Sequence, residues 1–238
     1  MNRRTLVSVA CLSVALILAL IPMKQGLSQA PKAAYPTMAP LDQYLMADRN
    51  AEIALARSAA PESISGEARI LVLGPHGYET AVEGKNGFVC VVERGWMSPA
   101  DAPEFWNPKL RGPICFNPPA VQSVLPTTLK RTEMVLAGKT KNEIVEGNKE
   151  AFEKGELPPL EPGAMSYMMS KDAYLTDSGG HNLAHLMFYA PPLEGKAWGA
   201  DLPKSPVMLI PQFKDAQPID VFIVPVGRWS DGSIAPVM

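Results

Sequence analysis

Proline sets the grain of this chain. Pro-Pro pairs stand at Pro118-Pro119, Pro158-Pro159 and Pro191-Pro192, among 24 prolines in 238 residues, about double the usual share. Each proline fixes φ and removes a backbone donor. These positions therefore read as stiff loops joining short elements. There is no internal repeat and no linker long enough to separate domains.

Between the prolines, apolar spacing predicts a helix over about 41–59. Leu41, Tyr44, Ala51 and Leu55 form its stripe, Asp42 suits its first turn, Arg57 its last, and Pro61 ends it. Three β-runs follow, over 68–73, 78–82 and 88–93. Gly74-Pro75-His76-Gly77 is turn chemistry between the first two. Asn86-Gly87 is a hairpin signal between the last two. The expectation is an antiparallel meander.

The middle of the chain reads as helix. Asn117 caps and Pro118 opens a segment running to about 137, kinked at Pro126 and stopped at Gly138. Thr140-Lys141-Asn142-Glu143 is a capping box, and the helix it opens carries Ile144, Val145, Ala151 and Phe152 as far as Gly155. Strand candidates return over 164–169, 186–190, 207–210 and 221–226. Grouped helices and strands, rather than alternating βαβ units, predict a single α+β domain with an antiparallel sheet. Its order is N-terminal helix, three-strand meander, central helices, C-terminal strands.

The first thirty residues are of a different kind. Arg3 and Arg4 precede an apolar stretch over about 6–21, and a small-residue run, Gly26-Leu27-Ser28-Gln29-Ala30, follows it. Basic start, apolar middle and small-x-small end are the three parts of a secretory signal peptide. The apolar run is shorter than the roughly 20 residues a membrane span needs. A signal over 1–30 is expected, cleaved near 28–30, with Gly26-Leu27-Ser28 as the fallback site and a retained anchor as the alternative. Residues 31–238 then form the globular domain, periplasmic or secreted, with no transmembrane segment of its own. Its 22 basic side chains, less Arg3, Arg4 and Lys24, stand against 24 acidic ones, a net charge of about −5. The charges are mixed along the chain, and the lack of any basic run argues against nucleic acid as a partner.

Cys90 and Cys115 remain after signal removal, each inside a short apolar run. In an oxidising compartment an even pair reads as a disulfide between neighbouring strands. The competing reading is two buried thiols. Neither cysteine has a Cys or His two to four residues away, as a metal site would need.

The sharpest chemical question lies in Thr176-Asp177-Ser178-Gly179-Gly180-His181-Asn182-Leu183-Ala184-His185. Asp-Ser-Gly-Gly is like the nucleophile loop of trypsin-like proteases, but that fold is two all-β barrels and this chain has a helical middle. Asp, Ser and two Gly also make an ordinary turn. His181 and His185 would converge on one metal if helical, about 6 Å apart along the axis. On a strand they stand roughly 13 Å apart. Gly179-Gly180 before them and Pro191-Pro192 after them favour the strand. Asn182 occupies the place of the general base in a His-Glu-x-x-His motif. His76, in its turn, is a third candidate. Trp96, Trp106, Trp198 and Trp229 lie in Gly-, Pro- or Ser-rich loops, where they either stack on sugars or plug a small core. Glu79, Glu83, Glu93 and Glu104 have no spacing that marks an acid and base pair. No glycine-rich nucleotide fingerprint is present.

Asn86-Gly87-Phe88-Val89-Cys90, Pro113-Ile114-Cys115-Phe116-Asn117-Pro118, Leu160-Glu161-Pro162-Gly163-Ala164-Met165 and His185-Leu186-Met187-Phe188 together resemble an exported bacterial protein family of unassigned function. The likeness covers most of the mature chain and implies an exported, single-domain protein. The expected role is a binding or accessory protein of the bacterial envelope, whose partner is a small molecule or an envelope protein. The alternative is a small hydrolase using a divalent metal on His181 and His185, with His76 as a further ligand.

Overall fold

The computed structural model describes residues 35–177, 183–210 and 218–236. The expected signal peptide and His181 lie outside the described residues. Five α-helices are described: α1 (Arg49–Arg57), α2 (Glu62–Ser65), α3 (Pro118–Ser123), α4 (Leu125–Leu136) and α5 (Lys141–Glu153). The strands are β1 (Arg69–Gly74), β2 (Gly77–Val82), β3 (Val89–Glu93), β4 (Gly112–Phe116), β5 (Met165–Met168), β6 (His185–Ala190), β7 (Met208–Ile210) and β8 (Asp220–Pro225). All eight join one sheet of order β2-β1-β3-β4-β5-β6-β8-β7. The α+β class stands as expected.

The sheet is mixed, which corrects the fully antiparallel expectation. β3 does not return alongside β2; it runs parallel to β1, with Arg69 opposite Val89 and Ile70 opposite Cys90. The other strand pairs are antiparallel. Asn86-Gly87 therefore closes no hairpin. Asn86 Nδ2 donates to the Ile64 carbonyl at 2.7 Å and its Oδ1 accepts from Phe88 N at 3.1 Å, while Gly87 takes a φ of +80°. These bonds tie the crossover to α2. Burial supplies the reason for the order. Four of the five residues of β3 are buried, so both of its faces need cover, whereas β2 exposes Glu79 and Thr80 and suits an edge.

The two faces of β3 and β4 carry different layers. Cys90, Val92 and Cys115 pack with Ala56 and Ala59 at the end of α1. Val89, Val91, Ile114 and Phe116 point the other way, against Ala120, Val124 and Leu125 of the α3–α4 region. Cys90 stands directly opposite Cys115 in the β3–β4 register, with their sulfurs at disulfide distance, 2.09 Å. This is the expected pair, on the face away from the cleft described below.

Local signals set several boundaries. The first helix begins at Arg49 rather than 41, because the Asp48 side chain accepts from Asn50 N at 2.8 Å and caps it there. Residues Leu41–Gln43 form a separate 3-10 turn. Tyr44 after it is buried against Trp96, 5.1 Å between ring centroids. Pro126 divides the central segment into α3 and α4, and Asn117 caps α3 through Ala120 N at 3.0 Å. Both halves of the Thr140–Glu143 capping box are made.

Candidate functional site

A cleft of about 450 Å³ opens between the sheet and α4. Alternation along the strands supplies its floor: Ile114 and Phe116 from β4, Met187 and Tyr189 from β6, Val221 and Ile223 from β8. Its other wall is one stripe of the α4 region at helical spacing, Val124, Thr127, Thr128 and Arg131. Most of the lining is apolar. Glu93, Thr127, Thr128, Arg131 and His185 provide polar groups among it.

Glu93 ends β3 and lines this cleft. Its Oε1 accepts from Thr128 Oγ1 at 2.9 Å. Burial pushes its carboxyl up to about 7, only partly offset by the Thr128 hydroxyl and the Arg131 charge. Such a group is a mixture of acid and carboxylate at neutral pH. Arg131 lies one turn beyond Thr128 and is 2% exposed. Burial brings its guanidinium down to about 10, still cationic at neutral pH. Its Nη2 donates to the Ser98 carbonyl at 3.2 Å, its Nε has no hydrogen-bond partner, and its guanidinium lies 5.4 Å from the centre of the Phe105 ring.

His185 is the first residue of β6 and is buried. The strand alternative at this position is the one observed. Its Nδ1 lies 2.6 Å from the Leu183 carbonyl, which only accepts, so Nδ1 carries the hydrogen and Nε2 the lone pair. Burial lowers its pKa and keeps the ring neutral. His76 sits exposed in the β1–β2 turn. Four strand intervals separate β1 from β6, about 19 Å measured along the sheet. The structure thus does not bring His76 to His185. Among the described residues no group of three or more His, Cys, Asp or Glu side chains could hold a metal.

Asp177 heads the Asp-Ser-Gly-Gly string. It accepts from the hydroxyls of Tyr35 and Tyr174 and pairs with Lys109 Nζ at 3.4 Å. The two phenols hold its carboxyl down to about 2. Asp177 is thus anchored by hydrogen bonds at the surface, on a fold with one sheet and several helices rather than two barrels, while Ser178, Gly179 and Gly180 lie outside the described residues. Trp96 and Trp106 are buried and plug the core; Trp96 Nε1 donates to Thr132 Oγ1 at 3.0 Å. Trp198 is 45% exposed and stacks on Phe222, 4.5 Å between ring centroids.

Sequence reasoning noted Glu93 only for its lack of a partner at a telling spacing, and missed Arg131 altogether. The helical pattern points away from them. In α4 the apolar Leu129 is 38% exposed, while Thr127, Thr128, Arg131 and Thr132 are buried. A polar stripe turned inward on an amphipathic helix is the signal, visible once the face is known. No protein-family model, curated protein or solved structure matches this chain.

Proposed function

We propose that this chain is an exported small-molecule-binding protein of the bacterial envelope, with the α4 cleft as its ligand site. The observation that carries the reading is the cleft itself: about 450 Å³, largely apolar, with buried polar groups grouped on one wall. Ligand pockets of small proteins have this size and this mixture, an apolar lining for affinity and a few polar groups for orientation. The basic, apolar and small-residue succession of the first thirty residues supports export. The Cys90–Cys115 pair fits an oxidising compartment. Among the described residues no helix is long and apolar enough to cross a membrane.

The test is titration of the purified chain with the neutral apolar dye Nile red. Saturable binding at one site per chain is expected. Met187→Trp, which fills the floor, should remove it while leaving the circular dichroism unchanged. Absence of saturable binding, or equal binding by the folded Met187→Trp variant, would overturn the reading.

One feature of His185 keeps the metal-dependent hydrolase as a second reading. An imidazole whose Nδ1–H is held by a carbonyl presents Nε2 as a Lewis base, the way metal-ligating histidines are oriented. That reading requires His181 as partner and stoichiometric metal in the purified protein by elemental analysis. Metal-free protein that folds normally with His185→Ala would end it.

A further inference from the structure

Among the described residues lining the cleft, Arg131 is a cation that forms no salt bridge, and the nearby carboxyl of Glu93 is itself pushed toward its protonated form by burial. Arg94 also reaches the lining, but its guanidinium is paired with Glu52 at 2.8 Å. Arg131 comes from the inward stripe of α4, is 2% exposed, leaves its Nε without a partner and uses Nη2 on a single carbonyl. A guanidinium carries five N–H donors and favours planar, two-oxygen acceptors. A buried cation short of acceptors is costly until something provides them.

Glu93 does not fill that role. It is the one carboxylate among the described lining residues, and Thr128 already donates to its Oε1. The titratable groups around it are Arg131 from α4, Tyr78 from β2, and Tyr189 and His185 from β6. Burial raises both phenols and lowers the imidazole, so these three are neutral around pH 7, and with Arg94 paired to Glu52 the charge left without an ion pair is that of Arg131. The same burial favours the neutral form of Glu93. The polar wall therefore offers a permanent cation and, next to it, a carboxyl that can donate an O–H.

We propose that the cleft takes a single-headed aliphatic carboxylate, its anionic head held by Arg131 with the Glu93 carboxyl beside it and its apolar body along Ile114, Phe116, Met187 and Val221. The proposal rests on the cleft being the ligand site. The volume sets the length. At about 30 Å³ for each water-sized group, 450 Å³ holds about 15 non-hydrogen atoms, the size of a carboxylate of ten to fourteen or so carbons. Binding is linked to protonation. An anionic head beside ionised Glu93 would be repelled, so the complex takes up a proton there. Affinity then falls as pH rises above about 7, by up to about tenfold per pH unit.

The experiment is calorimetric titration of the purified chain with dodecanoate, dodecanol and dodecyltrimethylammonium at about pH 6.5 and about pH 8. Dodecanoate should bind at least about tenfold more tightly than either of the others, a charge-assisted bidentate contact being strong enough to show at that level. Its affinity should drop between the two pH values, and Glu93→Gln should abolish that drop. Arg131→Gln should bring dodecanoate down to the level of dodecanol. Should that variant fail to fold, the head-group series on the unaltered protein still decides. Equal binding of dodecanol, or tighter binding of the ammonium, would overturn the carboxylate inference and leave the cleft reading standing. Failure of all three to bind would overturn both.

Discussion

Glu52 of α1 and Arg94, just past β3, form an ion pair withdrawn from solvent: Oε1 lies 2.8 Å from Nη2, and the side chains are 2% and 0% exposed. The pair is embedded in backbone bonds. Leu73 N donates to the same Oε1 at 3.1 Å, Arg94 Nε donates to the Tyr44 carbonyl at 2.8 Å, and Nη1 donates to the Val92 carbonyl. One pair thus joins the first helix, the segment before it, and strands β1 and β3.

Removing one partner leaves the other buried without its counter-charge. Glu52→Ala should cost about 3–5 kcal/mol, read from the urea midpoint of unfolding. Replacing both partners with apolar residues, as in Glu52→Leu with Arg94→Met, should cost less than the single change. A double variant weaker than Glu52→Ala would refute this account of the pair.

Glu93 makes stability depend on pH in the direction opposite to most carboxylates. Its folded pKa, about 7, lies above its unfolded value near 4.5, so the folded state holds the extra proton between the two. The contribution is fully present below the unfolded value and is lost as pH rises through about 7, with a span of about 3 kcal/mol. Buried His185 acts the other way: its pKa is lowered, so its contribution is present above the unfolded value of about 6.5 and declines as pH falls below it. The comparison of the unaltered chain with Glu93→Gln isolates the Glu93 part. Its stability difference should change steadily between about pH 4.5 and 7.5 in chemical denaturation. Parallel profiles would refute the assignment.

Cys90 and Cys115 close a loop of sequence separation 25. A cross-link of that span stabilises by about 3 kcal/mol in the chain-entropy account. The denatured, unreduced chain should show no free thiol by titration. Cys90→Ala with Cys115→Ala should lower stability by about that amount. Two free thiols per chain would rule out the bridge.

The capping box of α5 is a smaller and purely local matter. Thr140 Oγ1 accepts from Glu143 N, and Glu143 Oε2 accepts from Thr140 N at 2.8 Å. Thr140→Ala should cost about 1 kcal/mol in thermal or urea unfolding, with no effect on dye binding in the cleft.

The contrast between α5 and the Asn86-Gly87 segment shows where sequence reading succeeds. Thr140 and Glu143 act within one turn, so their spacing alone specifies the helix start. Asn117 before α3 and Gly138 after α4, with its φ of +75°, behave in the same way. Asn86-Gly87 carries an equally clear local signal, yet Asn86 is spent on the Ile64 carbonyl, a partner 22 residues away. A hairpin signal says that the chain can turn, and only the neighbours decide onto which strand it turns.

By itself the sequence pointed to the α+β class and the caps and stops of the central helices, favoured a strand over 186–190, and offered a Cys90–Cys115 bridge against two buried thiols. Each depends on residues close in the chain, or on apolar runs that must find cover wherever they go. The tertiary structure alone decided that β3 lies parallel to β1, because two-sided burial outweighs the local turn. It also decided that α4 turns Thr128 and Arg131 inward and leaves Leu129 38% exposed. The polar wall of the cleft exists because β3 ends at Glu93 opposite that helix face, a juxtaposition between residues 35 positions apart that no local spacing encodes.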